Sequence, residues 1–298
     1  MRKFSSKSII AAASVLTALG IGAFLLFSIE KKVPNVTPTV PPTPIVVQEV
    51  VVPEHKVIGT SVEGRSIEAY TYGEGKTRLL FVGGVHGGYE WNSVLLSYEF
   101  IDYLKAHPSI IPSGVTVMVI PSLNPDGVHK VIGKEGRFAM TDVPTSTLPA
   151  GTGRFNAHNV DLNRNFDCNW KSKSMWRGNV VSAGTAPFSE PESVALRDFV
   201  SAQKPSVVIF WHSQSNAVYA SACNNGILPE TLDVMNVYAR ASGYPPVKAF
   251  DAYAITGDAE GWLASIGIPA ITVELKTHES IEWERNLAGI TAILEHRK

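Results

Sequence analysis

The chain has 298 residues, 45% of them hydrophobic and 18% charged, which is enough length and apolar content for one large buried core and excludes a chain disordered overall. Its formal charge of -1 divides unevenly: residues 1–32 carry Arg2, Lys3, Lys7, Lys31 and Lys32 against Glu30, leaving 21 basic and 26 acidic side chains beyond them, a net of -5. A mildly acidic body without a Lys/Arg stripe excludes the electrostatic footprint of a nucleic-acid partner.

The first element is "IIAAASVLTALGIGAFLLFS", residues 9–28, with no charge over 20 positions. As a helix it would be about 30 Å long, the thickness of a bilayer's hydrocarbon core. Arg2, Lys3 and Lys7 ahead of it favour an inside N-terminus. We read residues 1–32 as a membrane anchor, with a long cleavable signal segment as the other reading. Either puts the rest of the chain outside the cytoplasm, anchored or secreted. Residues 33–53 hold six prolines and no glycine, the composition of a semi-rigid polyproline II spacer. Within it, "PIVVQEVVVP" has the character of an edge strand.

Residues 54–298 read as one domain. Apolar runs ("RLLFVGG", "VTVMVIPSL", "SVVIFWH", "PAITVEL") alternate with amphipathic patterns ("WNSVLLSYEFIDYLKAH", "SEPESVALRDFVSA", "PETLDVMNVYARASG", "EGWLASIG", "IEWERNLAGITAILEHR"). That alternation predicts an α/β sheet with helices on both faces. "SEPE" at 189–192 predicts a capping box with Ser189 as N-cap and Glu192 three residues on. The two cysteines, Cys168 and Cys223, are either a disulfide, as an exported protein permits, or two buried thiols.

Open α/β sheets gather their sites beyond the carboxyl ends of strands. Four apolar runs here end at polar residues: His86, then Asn124 and Asp126, then His212, then Glu274. Two imidazoles and a carboxylate leave the fourth position of zinc open for water, the pattern of a catalytic site, and Glu90 would be the carboxylate. Taken singly, His86 with Glu90 also reads as a turn before a helix, and His212 as a hydrogen-bonded core residue.

Six ordered segments remove that ambiguity. "GGVHGGYEW", "SLNPDGV", "VDLNRNFD", "FWHS", "YAITGDAEGW" and "ITVEL" resemble, in sequence, the signatures of the zinc metallocarboxypeptidases of the carboxypeptidase A type (M14, funnelin), across most of residues 57–295. The resemblance implies a single domain with a mixed, mainly parallel twisted sheet, and one Zn2+ held by His86, Glu90 and His212. One departure stands out: the family's His-x-x-Glu is His-x-x-x-Glu here, and we expect the extra residue to be absorbed between Gly87 and Tyr89, where glycine allows a reshaped loop.

By the same resemblance, Glu274 is the general base and an arginine upstream of "DLNRN" steadies the developing oxyanion, Arg154 or its rival Arg137. Asn163 and Arg164 match the pair that binds a substrate's terminal carboxylate, with Asp161, Asn165 and Phe166 shaping that loop. Tyr253 matches the tyrosine that closes over the end group. Glu260 falls at the floor of the terminal side-chain pocket, where it would favour a cationic group such as lysine, arginine or diaminopimelate. Asp258 is the other candidate for that role, and a solvent-facing Glu260 is the third reading. His55, His107, His129, His158, His278 and His296 share no strand-end context and read as surface or structural, with the cavity rim as a second reading for His278, four positions after Glu274.

The resulting expectation is a monomeric, extracytoplasmic zinc carboxypeptidase acting on peptides or muropeptides with a free C-terminal carboxylate. The alternatives are a small-molecule amide deacylase of the desuccinylase and aspartoacylase type, against which "YAITGDAEGW" argues, and an inactive peptide-binding module.

Overall fold

The structure, a computed structural model, describes residues 53–146 and 148–297. The anchor, the spacer and the edge strand expected ahead of them lie outside the described residues. Among the described residues no helix is long and apolar enough to cross a membrane.

A hairpin, β1 (Glu54–Thr60) and β2 (Ser66–Tyr72), opens the domain and leads to β3 (Thr77–Val82). Helix α1 (Trp91–Ala106), β4 (Val115–Ile120) and α2 (Pro125–Ile132) follow. Next come a second hairpin, β5 (Lys173–Trp176) with β6 (Asn179–Ser182), and then α3 (Pro191–Gln203) and β7 (Val207–Ser213). The chain continues through β8 (Ala217–Ala220), α4 (Pro229–Ser242), β9 (Pro246–Val247), α5 (Ala259–Ser265), β10 (Ala270–Leu275) and α6 (Trp283–His296).

Eight strands form one sheet in the order β1-β2-β4-β3-β7-β10-β8-β9. The central run β4-β3-β7-β10 is parallel throughout, and antiparallel pairs flank it at β1/β2, β2/β4 and β10/β8. The near-continuous apolar sequences of the central strands follow from this placement, because a parallel strand under helices on both sides has no polar face to show. Alternate residues of β3 divide between two cores. Leu79 and Phe81 pack with Phe100 of α1, Tyr238 of α4 and Ile293 of α6, whereas Leu80 and Val82 pack with Leu196 of α3 and Leu263 of α5. The period-two geometry of a strand therefore builds a helical layer on each face.

Two local expectations need correction. Ser189 is not an N-cap, because α3 begins at Pro191 with Glu190 before it, and the Ser189 hydroxyl donates instead to the Glu190 carboxylate at 2.8 Å. Asn124 and Asp126 do not join the other strand-end residues. Asn124 caps α2, accepting from Gly127 N at 2.9 Å, and Asp126, the second residue of that helix, binds Ser61 and Arg65. Cys168 and Cys223 are bonded, tying the segment after Arg164 to the turn after β8.

Candidate active site

Strand register brings the first two groups together. In the parallel β7/β10 pair, Glu274 lies opposite His212, so both side chains leave the sheet on one face. His86 arrives from the loop beyond β3, and a 3-10 turn, Gly87–Glu90, carries the chain into α1 with Glu90 at its N-cap position. The extra residue is accommodated by backbone packing. Gly87 has φ +47°, and a Cβ there would come within 2.8 Å of the Gly153 carbonyl; one on Gly88 would come within 2.6 Å of the Gly127 carbonyl.

His86, Glu90 and His212 are buried and their ligand atoms converge. His86 Nδ1 is 2.8 Å from Glu90 Oε1, His212 Nδ1 is 2.9 Å from Glu90 Oε2, and the two Nδ1 atoms are 3.1 Å apart. In their metal-binding forms all of these atoms are lone-pair acceptors, and acceptors this close need a cation among them. Tetrahedral zinc with bonds near 2.0–2.1 Å puts ligand atoms about 3.3 Å apart, close to the spacing found. The residues fit the ion.

A carboxylate stands behind each imidazole, the arrangement that orients metal-binding histidines. Asp161 Oδ1 is 3.3 Å from His86 Nε2, and Glu260 Oε1 is 3.5 Å from His212 Nε2. Both are ion-pair contacts rather than aligned hydrogen bonds. Burial alone would raise Glu90, but the two histidines hold it well below its ordinary value. Burial alone would lower His212, but Glu90 and Glu260 push it up to about 10. The negative charge gathered here thus calls for a positive charge, proton or metal.

These groups open on a cavity of about 440 Å3 that also takes in Glu274, Arg154, Asn163, Arg164, Tyr253 and Asp258. Burial, and after it the nearby Glu90, raise Glu274 to about 7, and its Oε2 accepts from Ser215 N at 3.3 Å. Arg154 is held by Asp161 through Nε at 3.1 Å and Nη2 at 2.8 Å, and its Nη1 reaches to 3.7 Å from Glu90. Asn124 Nδ2 fixes the Arg154 carbonyl at 3.2 Å. Arg137 lies elsewhere, paired with Asp102 and stacked over Tyr98, and is not a lining residue.

Arg164 is 2% exposed, yet no carboxylate pairs with it among the described residues. Its guanidinium donates to the carbonyls of Asn163 at 2.5 Å and Met175 at 3.4 Å, and its Nε has no partner. Asn163 Oδ1 accepts from Ala259 N at 2.9 Å, joining this loop to the start of α5. Tyr253 packs edge-on against Phe250, 4.8 Å between ring centres. Glu260 is buried rather than solvent-facing, accepts from Thr272 Oγ1 at 2.9 Å, and lies both on the cavity wall and behind His212. Asp258 caps α5, accepting from Gly261 N at 2.7 Å, and burial together with Glu260 raises it to about 6.

Further residues line the cavity, and three of them, Tyr89, Trp176 and Arg177, carried no sequence signal. His278, read as surface or structural with the rim as its second reading, lines the cavity. Its tautomer follows from a chain of hydrogen bonds: Asn92 Nδ2 donates to the carbonyls of Thr277 and Ser280, so Asn92 Oδ1 accepts from Ser213 Oγ at 3.0 Å. Ser213 Oγ must then accept from His278 Nδ1 at 2.6 Å, leaving Nε2 unprotonated. Tyr89, Trp176 and Arg177 form the neighbouring rim. The buried-exposed alternation of Ser174, Met175 and Trp176 is a strand signal short enough to miss.

Comparison with known proteins agrees with this geometry. The sequence profile of the family described as zinc carboxypeptidase matches residues 52–281. A γ-D-glutamyl-L-diamino acid endopeptidase 1 of Lysinibacillus sphaericus is 26% identical over 238 residues, 73% of this chain and 59% of that protein. The chain thus spans under two thirds of the curated relatives matched first. Among solved structures, the murein-tripeptide amidase MpaA of Escherichia coli O157 superposes with a TM-score of 0.61 at 23% identity, covering 82% of this chain and 92% of that one. Bovine thrombin-activatable fibrinolysis inhibitor gives 0.66 at 21% identity, covering 82% and 90%. At those identities the two structures speak for the fold.

Proposed function

This chain belongs to the zinc carboxypeptidase family, and on that premise we propose that it hydrolyses the amide bond next to a free terminal carboxylate in peptides of cell-wall type, outside the cytoplasm. The observation that carries the reading is Arg164, a buried guanidinium without a carboxylate partner among the described residues, in the same cavity as the His86, Glu90 and His212 cluster. A buried cation left unpaired is costly, and a substrate carboxylate with two oxygens matches its planar fork. Disulfide formation and the apolar stretch at 9–28 support the extracytoplasmic location.

Bound at His86, Glu90 and His212, zinc supplies Lewis acidity, lowering the pKa of a water to about 7 and polarising a carbonyl. The remaining work falls to side chains. Arg164 and Asn163 hold the terminal carboxylate, and Tyr253 covers the end group at the rim. Glu274, whose carboxyl sits near neutrality, takes a proton from the attacking water and delivers it to the departing amine. Arg154, fixed by Asp161, offers N-H donors to the oxygen on which negative charge develops. Asp258 and Glu260 give the end-group pocket an acidic wall, which favours a cationic terminal side chain such as lysine or a diamino acid.

The test is to incubate the purified protein with peptides ending in Lys, in diaminopimelate and in Phe, with and without a chelator. Cleavage of the first two that the chelator abolishes supports the reading, and a preference for Phe removes the acidic-pocket part of it. Zinc-loaded protein that cleaves no peptide would return the chain to the binding-module alternative.

A further inference from the structure

The cavity holds two arginines without carboxylate partners among the described residues, and only Arg164 is used above. The other, Arg177, sits on the turn of the β5/β6 hairpin, where its Nη1 donates to the Tyr89 hydroxyl at 3.2 Å. We propose that Arg177 and Tyr89 form a subsite for the free α-carboxylate of a glutamyl residue joined to the scissile bond through its γ-carboxyl. This rests on the peptidase reading above and narrows its substrate class.

The two arginines have different neighbours in the cavity. The charge of Arg164 acts on Asp258, which lines the end-group pocket, and on Asp161, which also holds Arg154. The charge of Arg177 acts on Tyr89 and His278, and Tyr89 packs edge-on against both His278 and Trp176. Arg154 touches members of both groups, Asp161 at 2.8 Å and the Tyr89 ring at 5.9 Å. Its guanidinium and that of Arg177 both stand over the Trp176 ring, 4.6 Å and 5.9 Å from its centre. If the terminal carboxylate occupies Arg164 and the reacting carbonyl oxygen faces Arg154, then the residue donating that carbonyl extends toward Arg177.

The chemistry of that residue decides what Arg177 can read. In an α-linked peptide its α-carbonyl is the scissile group, so its backbone offers no anion. In a γ-linked glutamyl residue the α-carboxylate remains free, four carbon-carbon bonds and about 5 Å from the scissile carbonyl carbon. A guanidinium with one N-H on a phenol and the others free presents donors to such a carboxylate. The γ-D-glutamyl bond named in the Lysinibacillus sphaericus relative carries this group.

The experiment uses two substrates that differ at one atom set: L-Ala-γ-D-Glu-L-Lys, and the same peptide with the glutamyl α-carboxylate converted to an amide. For the zinc-loaded full chain, kcat/KM should be about five- to tenfold higher for the acid than for the amide, mainly through KM, as a charge-assisted pair at a rim allows. Arg177→Gln should bring the acid-to-amide ratio to near one, Arg177→Lys should keep part of it, and Arg177→Glu should take it below one. The inference is overturned if wild type does not distinguish the two peptides, or if Arg177→Gln lowers both alike and leaves the ratio intact, while the peptidase reading survives. Cleavage of neither peptide, nor of any other ending in lysine, overturns both.

Discussion

Glu274 and His212 are direct partners across the parallel β7/β10 pair. One strand register therefore sets a metal-ligand position and a proton-transfer position together, and neither can shift without the other. Strand register resists slippage because a one-residue shift would turn every buried side chain to the wrong face. The sheet thus fixes His212 and Glu274 together, while His86, Glu90, Arg154, Asn163, Arg164, Tyr253 and Arg177 reach the cavity from turns and loops.

Removing the proton acceptor should leave the ligands alone. Glu274→Gln should keep one zinc per chain by elemental analysis and lose about 10²- to 10⁴-fold in kcat, the range of general base catalysis. Loss of zinc from this variant would mean that Glu274 holds the ion instead.

The pH profile should show the same group. Glu274 is raised to about 7 by burial and by Glu90, and only its ionised form accepts a proton, so activity falls as pH drops through that value. A bound divalent cation favours the carboxylate, which moves the midpoint down. The acid limb of kcat/KM, measured with zinc saturating, should accordingly have its midpoint at or below about 7. A profile still rising above pH 8 would contradict the assignment.

Metal uptake should release a proton. His212 in the metal-free protein is held up to about 10 by Glu90 and Glu260, after burial is overcome, so it is protonated at neutral pH. Zinc needs its neutral form, so affinity should weaken about tenfold for each pH unit lowered between 9 and 7, and calorimetry in buffers of different ionisation enthalpy should count the proton. Zinc should also raise the thermal midpoint, and a chelator should reverse this.

How much of this was legible in the sequence follows the length of each signal. The central strands and the helices α1, α3, α4, α5 and α6 were legible because their apolar runs or periodic faces are marked, and the candidate site because His86, His212 and Glu274 end such runs while Glu90 stands four residues after His86. The rim was not. Tyr89, Trp176 and Arg177 come from a turn, a four-residue strand and a hairpin turn, whose meeting depends on tertiary packing that no local period encodes, and His278 had only its spacing from Glu274 to mark it. Asp161 was read as shaping its loop, whereas it bridges Arg154 and His86. Asn124 misled for the opposite reason: its strand-end position grouped it with the site residues, but a free N-H of the first turn of α2 claims its side-chain oxygen.

The disulfide gives a stability test separate from catalysis. Cys168 and Cys223 are 55 positions apart, and a crosslink over such a loop is worth about 2–4 kcal/mol in the chain-entropy account. Replacing both with serine should lower unfolding free energy by about that much in denaturant titrations while zinc content stays at one. An unchanged midpoint would show that the bond contributes nothing to the folded state.

Anomalous scattering at the zinc edge, from crystals of zinc-loaded protein, tests the central claim most directly. One peak is predicted, within about 2.0–2.2 Å of Nδ1 of His86, Nδ1 of His212 and a carboxylate oxygen of Glu90. A peak bound through other residues, or none in this cluster at full zinc loading, would contradict the account.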